Sequence, residues 1–442
     1  MIRESLGIST FGETPSLVGP EHLEGLYKHA LEHIPKHAVR DTPIFLLATA
    51  GVRLLPPRQR KALLAEVCHY TRSTTKFLLP DCDLHIQTIP GETEGLYGWI
   101  AANYLLGGFD SPEDHDHGKG HHTYGFLDMG GASAQIAFAP NATETEKHAK
   151  YLKLLRLRTL DGRSMEHRVF VTTWLGFGVN EARRRYVKAL LDATGKDTKE
   201  IRDPCLPVGL RVTQKGEVIH SDSGGKFDGG GEPHLLGIGL FDECLRRTYP
   251  LLGKDVPCED KPCLLHGVHV PAIDFDVNHF VGVSEYWHTT HGVFELGHKG
   301  KADKYDFEAY QSSVRDFCSQ DWDEISELVR KKKLGKKVDE ETALGICFKA
   351  SWLISVLHDG IGIPRVGMDA LEGGEHTHNV TRTMIRRAKS LGFTDAFQPF
   401  NKIANVEVSW TLGKMVLYAA SQISPAAHDG ALPVGFGSNV ES

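Results

Sequence analysis

TYGFLDMGGASAQIAFAP, from Thr123 to Pro140, consists of two short apolar runs with Asp-Met-Gly-Gly at the bend between them. Apolar runs of this length bounded by turn residues read as buried strands, so the segment is expected to form a β-hairpin with glycines at its bend. Asp128 closes the first strand. A carboxylate there lies beside a turn whose bare amides can approach an anion closely. That pattern suits a metal, or its waters, on Asp128 and a phosphate cradled by Gly130, Gly131, Ala132 and Ser133. A glycine-rich turn with a surface aspartate would give the same string, so the hairpin alone does not define a site.

Upstream, GETEGLYGWIAANYLL (Gly91 to Leu106) has Leu96, Trp99, Ile100, Asn103 and Tyr104 at helical spacing. Glu94 falls in the first turn of that helix, where the dipole is expected to keep it ionised, as suits a base that activates water. Acidic residues also gather in first turns for stability alone. Further upstream, TPIFLLATAGVRLL (Thr42 to Leu55) reads as a buried strand feeding a turn. The turn offers Thr49, Ala50, Gly51 and Arg53: a hydroxyl, a close-approach glycine and a guanidinium that fit an oxyanion site.

Between these motifs strands and helices alternate. A helix is expected from Pro20 to Ile34, a second after PPRQR with Leu63, Leu64, Val67 and Cys68 on one face, and a strand in DLHIQTIPG. Later helices are expected over NEARRRYVKALLDA, Ala343 to Leu357 and Leu412 to Ile423, and RKKKLGKK (330–337) reads as a solvated helix end or loop. This order favours an α/β fold, and 442 residues favour two domains.

Other features set limits. A net charge of -7 argues against non-specific nucleic-acid binding, so a polyanionic substrate has to be met by a local site. No apolar run reaches the roughly 20 residues of a membrane span, and MIRESLGISTF lacks a signal-peptide core. Gly176-Phe-Gly178 lacks the third glycine of a dinucleotide fingerprint, and no GxxxxGK[ST] is present. His115, His117, His121 and His122 lie in a polar stretch without helical spacing and read as a solvated loop. Eight cysteines, none in a C-x-x-C pair, leave disulfides and buried thiols both open, and the sequons at Asn141 and Asn379 tilt towards an oxidising compartment.

Four motifs, in order, resemble the apyrase family, the nucleoside triphosphate diphosphohydrolases. TPIFLLATAGVRLL is similar to the family's second signature, IPGETEGLYGWIAANYLLG to its third, YGFLDMGGASAQIAF to its fourth and NVEVSWTLGKM to its fifth. TTWLGFGVNEAR, DPCLPVG, FDEC and FVGVSEYW resemble the Golgi-type members. The resemblance implies a two-domain actin-like (ribonuclease H-like) ATPase superfold with a cleft between domains. It implies that Glu94 activates the attacking water, that Ser133 and Gln135 position it, that Asp128 holds Ca2+ or Mg2+ through coordinated water, and that Thr49 is the site's threonine. Terminal phosphates of nucleoside tri- and diphosphates would then be cut by in-line attack, without a covalent intermediate. The cysteine pairs implied are Cys68 with Cys82, Cys205 with Cys244, Cys258 with Cys263 and Cys318 with Cys347, in the Golgi lumen.

Expectations follow for the whole chain. Residues 1–91 with 406–442 should form the first α/β domain, and 92–405 the second, with cysteine-containing insertions. Thr49, Glu94, Asp128, Ser133 and Gln135 should line the cleft, with Gly51 and the hairpin turn on the phosphate and Tyr286 or Trp287 stacked on the base. The family's first signature, Asp-x-Gly-Ser-Ser-x-Thr, normally precedes the segment matching LGISTFGETPSLVGPEHLEGL, which starts here at Leu6. The first domain is therefore expected to be N-terminally truncated, without the family's membrane anchor, and residues 1–442 alone to hydrolyse weakly until an upstream segment is restored. A catalytically impaired nucleotide-binding or scaffold fragment of the same fold is the alternative.

Overall fold

The computed structural model describes residues 7–110, 123–195, 198–220, 232–275, 277–294, 305–334, 338–365, 396–426 and 432–439. The histidines at 115, 117, 121 and 122, the sequon at Asn379 and the end of the basic run at 335–337 lie outside them. Asn141 is described: its side chain caps the helix Ala142–Lys147 by accepting from the Glu144 amide.

The N-terminal unit has its own core. Strand β1 (Leu46–Ala48), helix α1 (Pro57–Thr74) and strand β2 (Ile86–Thr88) follow the helix Glu24–His33. Pro57 opens α1, where a missing N–H costs nothing. Leu63 and Val67, one turn apart, bury against Phe11, Val18, Leu23, Ala48, Val52 and Ile86. The β1 and β2 strands run parallel, Leu46 beside Ile86. The apolar run read as one strand stops at Ala48, and Ala50–Arg53 is a helical turn.

Helix α2 (Gly91–Leu106) leads into the main body. There strands β3 (Gly125–Met129), β4 (Ser133–Phe138), β5 (Leu152–Arg158) and β6 (Ser164–Leu175) are followed by helix α3 (Val179–Asp192) and strand β7 (Phe280–Ser284). Helix α4 (Glu340–Ile354), strand β8 (Phe397–Pro399), helix α5 (Trp410–Ser421) and strand β9 (Gly435–Ser438) complete it. Seven of these strands form one sheet in the order β8-β7-β3-β4-β6-β5-β9, with β8, β7 and β3 parallel and the later pairings antiparallel.

Strand alternation decides which side chain goes where. Leu127, Met129, Ala134, Ile136 and Phe138 face one core, which includes Tyr186 of α3 and Trp352 of α4. Phe126, Ala137, Val171, Val281 and Val283 face the other, under Leu96, Trp99 and Ile100 of α2. Helix α2 lies close to the sheet because Gly98 has no side chain: a Cβ there would be 2.1 Å from the Phe126 ring. The result is a mixed α/β fold with helices on both faces of a large sheet.

The C-terminal segment bridges the two parts. Gly413 of α5 sits where a Cβ would meet the Tyr97 carbonyl of α2, while Lys414 and Tyr418 reach the ring of Phe45 beside β1. Strand β9 then pairs with β5 at the edge of the large sheet.

Residues Glu340–Ile361 form a helix long and apolar enough to cross a membrane, but 78% of its apolar stretch is buried within the fold. A helix apolar on all sides that is surrounded by protein is a core helix. All eight cysteines are paired, Cys68–Cys82, Cys205–Cys244, Cys258–Cys263 and Cys318–Cys347, the four pairs that the resemblance implies.

His358, at the end of that core helix, bonds the Tyr305 hydroxyl at 2.9 Å and the Ile363 carbonyl at 2.8 Å. Burial pushes its pKa from 6.5 down to about 4. The folded imidazole stays neutral where the unfolded one protonates, so its support is present above pH 6.5 and is lost as pH falls towards 4. Between pH 7 and pH 5 this group should remove on the order of 2 kcal/mol of stability. Urea unfolding at the two pH values should show that loss in the wild type and a smaller one in His358→Gln; equal losses would contradict the assignment.

Candidate active site

Register places the functional side chains. Asp128 on β3 lies opposite Gln135 on β4, and Gln135 lies opposite Thr173 on β6. Ser133 is two residues before Gln135, so both share the face covered by α2. Glu94, in the first turn of α2, meets them: Gln135 Nε2 donates to Ser133 Oγ at 2.6 Å, to Glu94 Oε2 at 3.3 Å and to Thr173 Oγ1 at 3.3 Å.

Arg53 closes the cluster from the N-terminal unit. Its Nη1 donates to the Ile89 carbonyl at 2.8 Å, and its Nη2 to Glu94 Oε2 at 3.1 Å and Ser133 Oγ at 3.2 Å. Glu94 Oε2 is thereby held by two donors, leaving Oε1 to take a proton. Ser133 Oγ already accepts from two groups and keeps its own proton to donate. The junction between the two parts of the fold is thus where the acid–base groups converge.

Burial dominates the electrostatics. Glu94 was expected to stay ionised at its helix start, and this is corrected: removal from water, joined by the nearby charge of Asp128, outweighs Arg53 and pushes its pKa to about 7. Asp128 is raised to about 6 by burial, against a lowering hydrogen bond from Ser284. Two buried carboxylates whose charges repel each other favour a cation nearby. Asp128 Oδ1 is buried without a hydrogen-bond partner, the kind of oxygen that a metal-bound water would satisfy. Among the described residues no three His, Cys, Asp or Glu side chains are grouped to hold a metal directly. The donor set therefore fits Mg2+ or Ca2+ that keeps most of its waters and is completed by substrate phosphates.

The hairpin turn is presented by a feature the sequence reading discarded. Gly176-Phe177-Gly178 packs against it, and the first amides of α3 grip its carbonyls: Val179 N to Gly130 O at 3.0 Å, Asn180 N to Gly131 O at 2.9 Å and Glu181 N to Gly131 O at 3.1 Å. The Gly176 amide takes the Ala132 carbonyl at 2.8 Å. With those carbonyls turned to the helix, the Gly131 and Ala132 amides enter no backbone hydrogen bond among the described residues. Free amides beside a buried carboxylate make an anion cradle. Gly178 is required for the fit, since a Cβ there would lie 2.4 Å from Ala132 N and 2.6 Å from Gly130 O.

The remaining candidates are dispersed. Thr49 follows β1 and its carbonyl starts the Ala50–Arg53 turn, beside Arg53 but outside the hydrogen-bonded cluster. The close neighbour of Gly51 is Ser9, 2.7 Å from a Cβ placed there. Tyr286 is fully buried in the core, edge-on to Phe397. Trp287 is partly exposed and stacks on His291 at 4.5 Å and 9°.

Residues 2–428 match the GDA1/CD39 (nucleoside phosphatase) family. The Golgi apyrase of Saccharomyces cerevisiae is 37% identical over 432 residues, covering 94% of this chain and 62% of the relative. The Golgi apyrase of Schizosaccharomyces pombe is 36% identical, covering 94% and 66%, and the nucleoside-diphosphatase mig-23 of Caenorhabditis elegans is 32% identical, covering 95% and 69%. The chain thus spans 62% and 66% of the length of the two Golgi apyrases. A solved nucleoside triphosphate hydrolase from Neospora caninum matches 93% of this chain and 79% of its own at 14% identity, with a TM-score of 0.48.

Proposed function

Because the chain belongs to the GDA1/CD39 nucleoside phosphatase family, we propose that its site removes terminal phosphates from nucleoside di- and triphosphates with a divalent metal and a water activated by Glu94. The observation that carries this reading is the convergence of Glu94, Ser133, Gln135 and Arg53 in one hydrogen-bonded cluster beside Asp128 and a free-amide turn.

In this reading Glu94 Oε1 takes the proton of a water that Ser133 and Gln135 aim at the terminal phosphorus. Its pKa near 7 suits a base that works close to neutral pH. The Gly131 and Ala132 amides accept the charge on the transferred oxygens. Asp128 holds the metal through water, and the metal supplies further charge neutralisation on the phosphates. Thr49 and Gly51 are proposed to complete the phosphate side from the β1 turn. The names of the two Golgi apyrases and four disulfides support a location in the Golgi lumen.

Turnover in 18O-labelled water tests the route. One labelled oxygen should enter each released phosphate and none the remaining nucleotide; label in the nucleotide would overturn attack at the terminal phosphorus.

Base recognition falls to Trp287 rather than Tyr286, since only Trp287 has an accessible ring. Stacking on any base is worth about 1–3 kcal/mol. Trp287→Ala should therefore raise KM roughly tenfold or more for purine and pyrimidine nucleotides alike, with kcat little changed. Unaltered KM values in a folded variant would remove Trp287 from the site.

A further inference from the structure

Ser284, the last residue of β7, is one of the few non-glycine residues with a left-handed backbone, at φ 58° and ψ -122°. It stands between a buried strand and the helical turn Glu285–Trp287. A residue with a side chain persists in such a conformation only where its surroundings hold it there, and such positions cluster at functional sites. The same kind of sharp strand-to-helix turn lifts a serine hydroxyl out of a sheet in other hydrolases.

The register shows what this turn accomplishes. Val283 lies beside Asp128, and Ser284 beside Met129. Regular alternation would send the Ser284 side chain to the Met129 face, away from Asp128. The hydroxyl instead hydrogen-bonds Asp128, which requires the backbone to leave the extended form. Asp128 is buried, and its Oδ1 has no hydrogen-bond partner. One carboxylate oxygen is therefore tied back to β7 and the other is left for whatever occupies the site.

We propose that Ser284 is a positioning residue that fixes the rotation of the Asp128 carboxylate, so that a single oxygen faces the metal and its waters. The proposal rests on the reading of Asp128 as the metal-holding group. A carboxylate already turned to its working orientation loses less freedom when the ion arrives, and partners of this kind commonly change metal affinity 10- to 100-fold. Retaining a strained serine where glycine would fit without strain is then a trade of stability for metal binding.

The test uses Mg2+ or Ca2+ alone, titrated calorimetrically into the protein without nucleotide, and melting temperatures of the same samples. Ser284→Gly removes both hydroxyl and strain, Ser284→Ala removes the hydroxyl only, and Asp128→Asn reports on the underlying reading. The expected result is a metal dissociation constant at least tenfold weaker in both Ser284 variants, with the melting temperature of Ser284→Gly equal to or above that of the wild type. Half-saturating metal in turnover should rise by the same factor, with much of kcat recovered at saturating metal. Wild-type metal affinity in Ser284→Gly and Ser284→Ala, with affinity lost in Asp128→Asn, would overturn the positioning role alone. Unchanged affinity in Asp128→Asn would overturn the reading of Asp128 and the proposal with it. A lower melting temperature in Ser284→Gly than in the wild type would show the hydroxyl to be a structural tie and overturn the trade.

Discussion

Replacement of Glu94 by glutamine is expected to lower kcat/KM about a thousandfold, in the middle of the 100- to 10,000-fold range for loss of a general base. The substitution keeps the shape and the acceptor oxygen that Arg53 and Gln135 hold, so the cluster should stay assembled and only the proton-accepting step should fail. The carboxylate is buried and raised towards neutrality by desolvation and by Asp128. Its raised pKa stabilises the fold at low pH and is a growing liability as pH rises through 7. At pH 8 the glutamine variant should therefore keep its melting temperature to within a few degrees. A variant that is folded and retains a tenth or more of wild-type kcat/KM would remove Glu94 from the role of base.

Gly178→Ala should cost about a hundredfold in kcat/KM although residue 178 lies outside the carboxylate cluster. The glycine has an ordinary backbone at φ -65° and ψ 158°, so the objection to a methyl group is purely steric. A Cβ would press on Gly130 O, Gly131 C and Ala132 N, all backbone atoms of the turn whose carbonyls α3 grips. The turn has to shift by the better part of an ångström, and displacements of that size cost on the order of 100-fold when they misplace groups around a reacting centre. Trp352 anchors the same segment by donating to the Phe177 carbonyl at 2.9 Å, so the glycine turn cannot simply back away. Near-wild-type turnover in Gly178→Ala would mean that the hairpin amides do not cradle the transferred phosphate.

Much of this site could be read from residue order. The hairpin at Asp128 was legible because its two apolar strands and glycine bend leave one register, and that register sets Asp128 opposite Gln135. The helix carrying Glu94 was legible from its spacing, but the state of its carboxylate was not. A helix start favours the ionised carboxylate, but here burial and the nearby charge of Asp128 outweigh that preference. The clamp formed by Gly176 and Gly178 has no local signal of its role, because its partner is another turn 45 residues earlier, from Gly131 to Gly176. Neither the reach of Arg53 to Ser133 nor the elbow at Ser284 has a local signal. Both depend on long-range packing, and a positive φ at serine is invisible in sequence.

The placement of residues 406–442 shows a related limit. Helix α5 packs Leu417 and Ala420 into the core under α2 and touches the N-terminal part where Lys414 lies over the Phe45 ring and Tyr418 meets it edge-on. The pairing of β9 with β5 at the far edge of the large sheet is not foreseeable from the short, glycine-rich string Gly435–Ser438. Strands β5 and β6 turn at Asp161-Gly162, with Gly162 at φ 85°, but the basic residues of β5 mask its alternation.

The central claim is that Glu94 and a divalent metal at Asp128 together hydrolyse nucleoside phosphates. Phosphate release from a nucleoside diphosphate, measured in Mg2+ or Ca2+ and again in chelator, tests it most directly. The wild type should be compared with Glu94→Gln. The account predicts metal-dependent release that is abolished by chelator and reduced about a thousandfold by Glu94→Gln. Release that survives chelation or the glutamine substitution, or its absence from the wild type in metal, would contradict it.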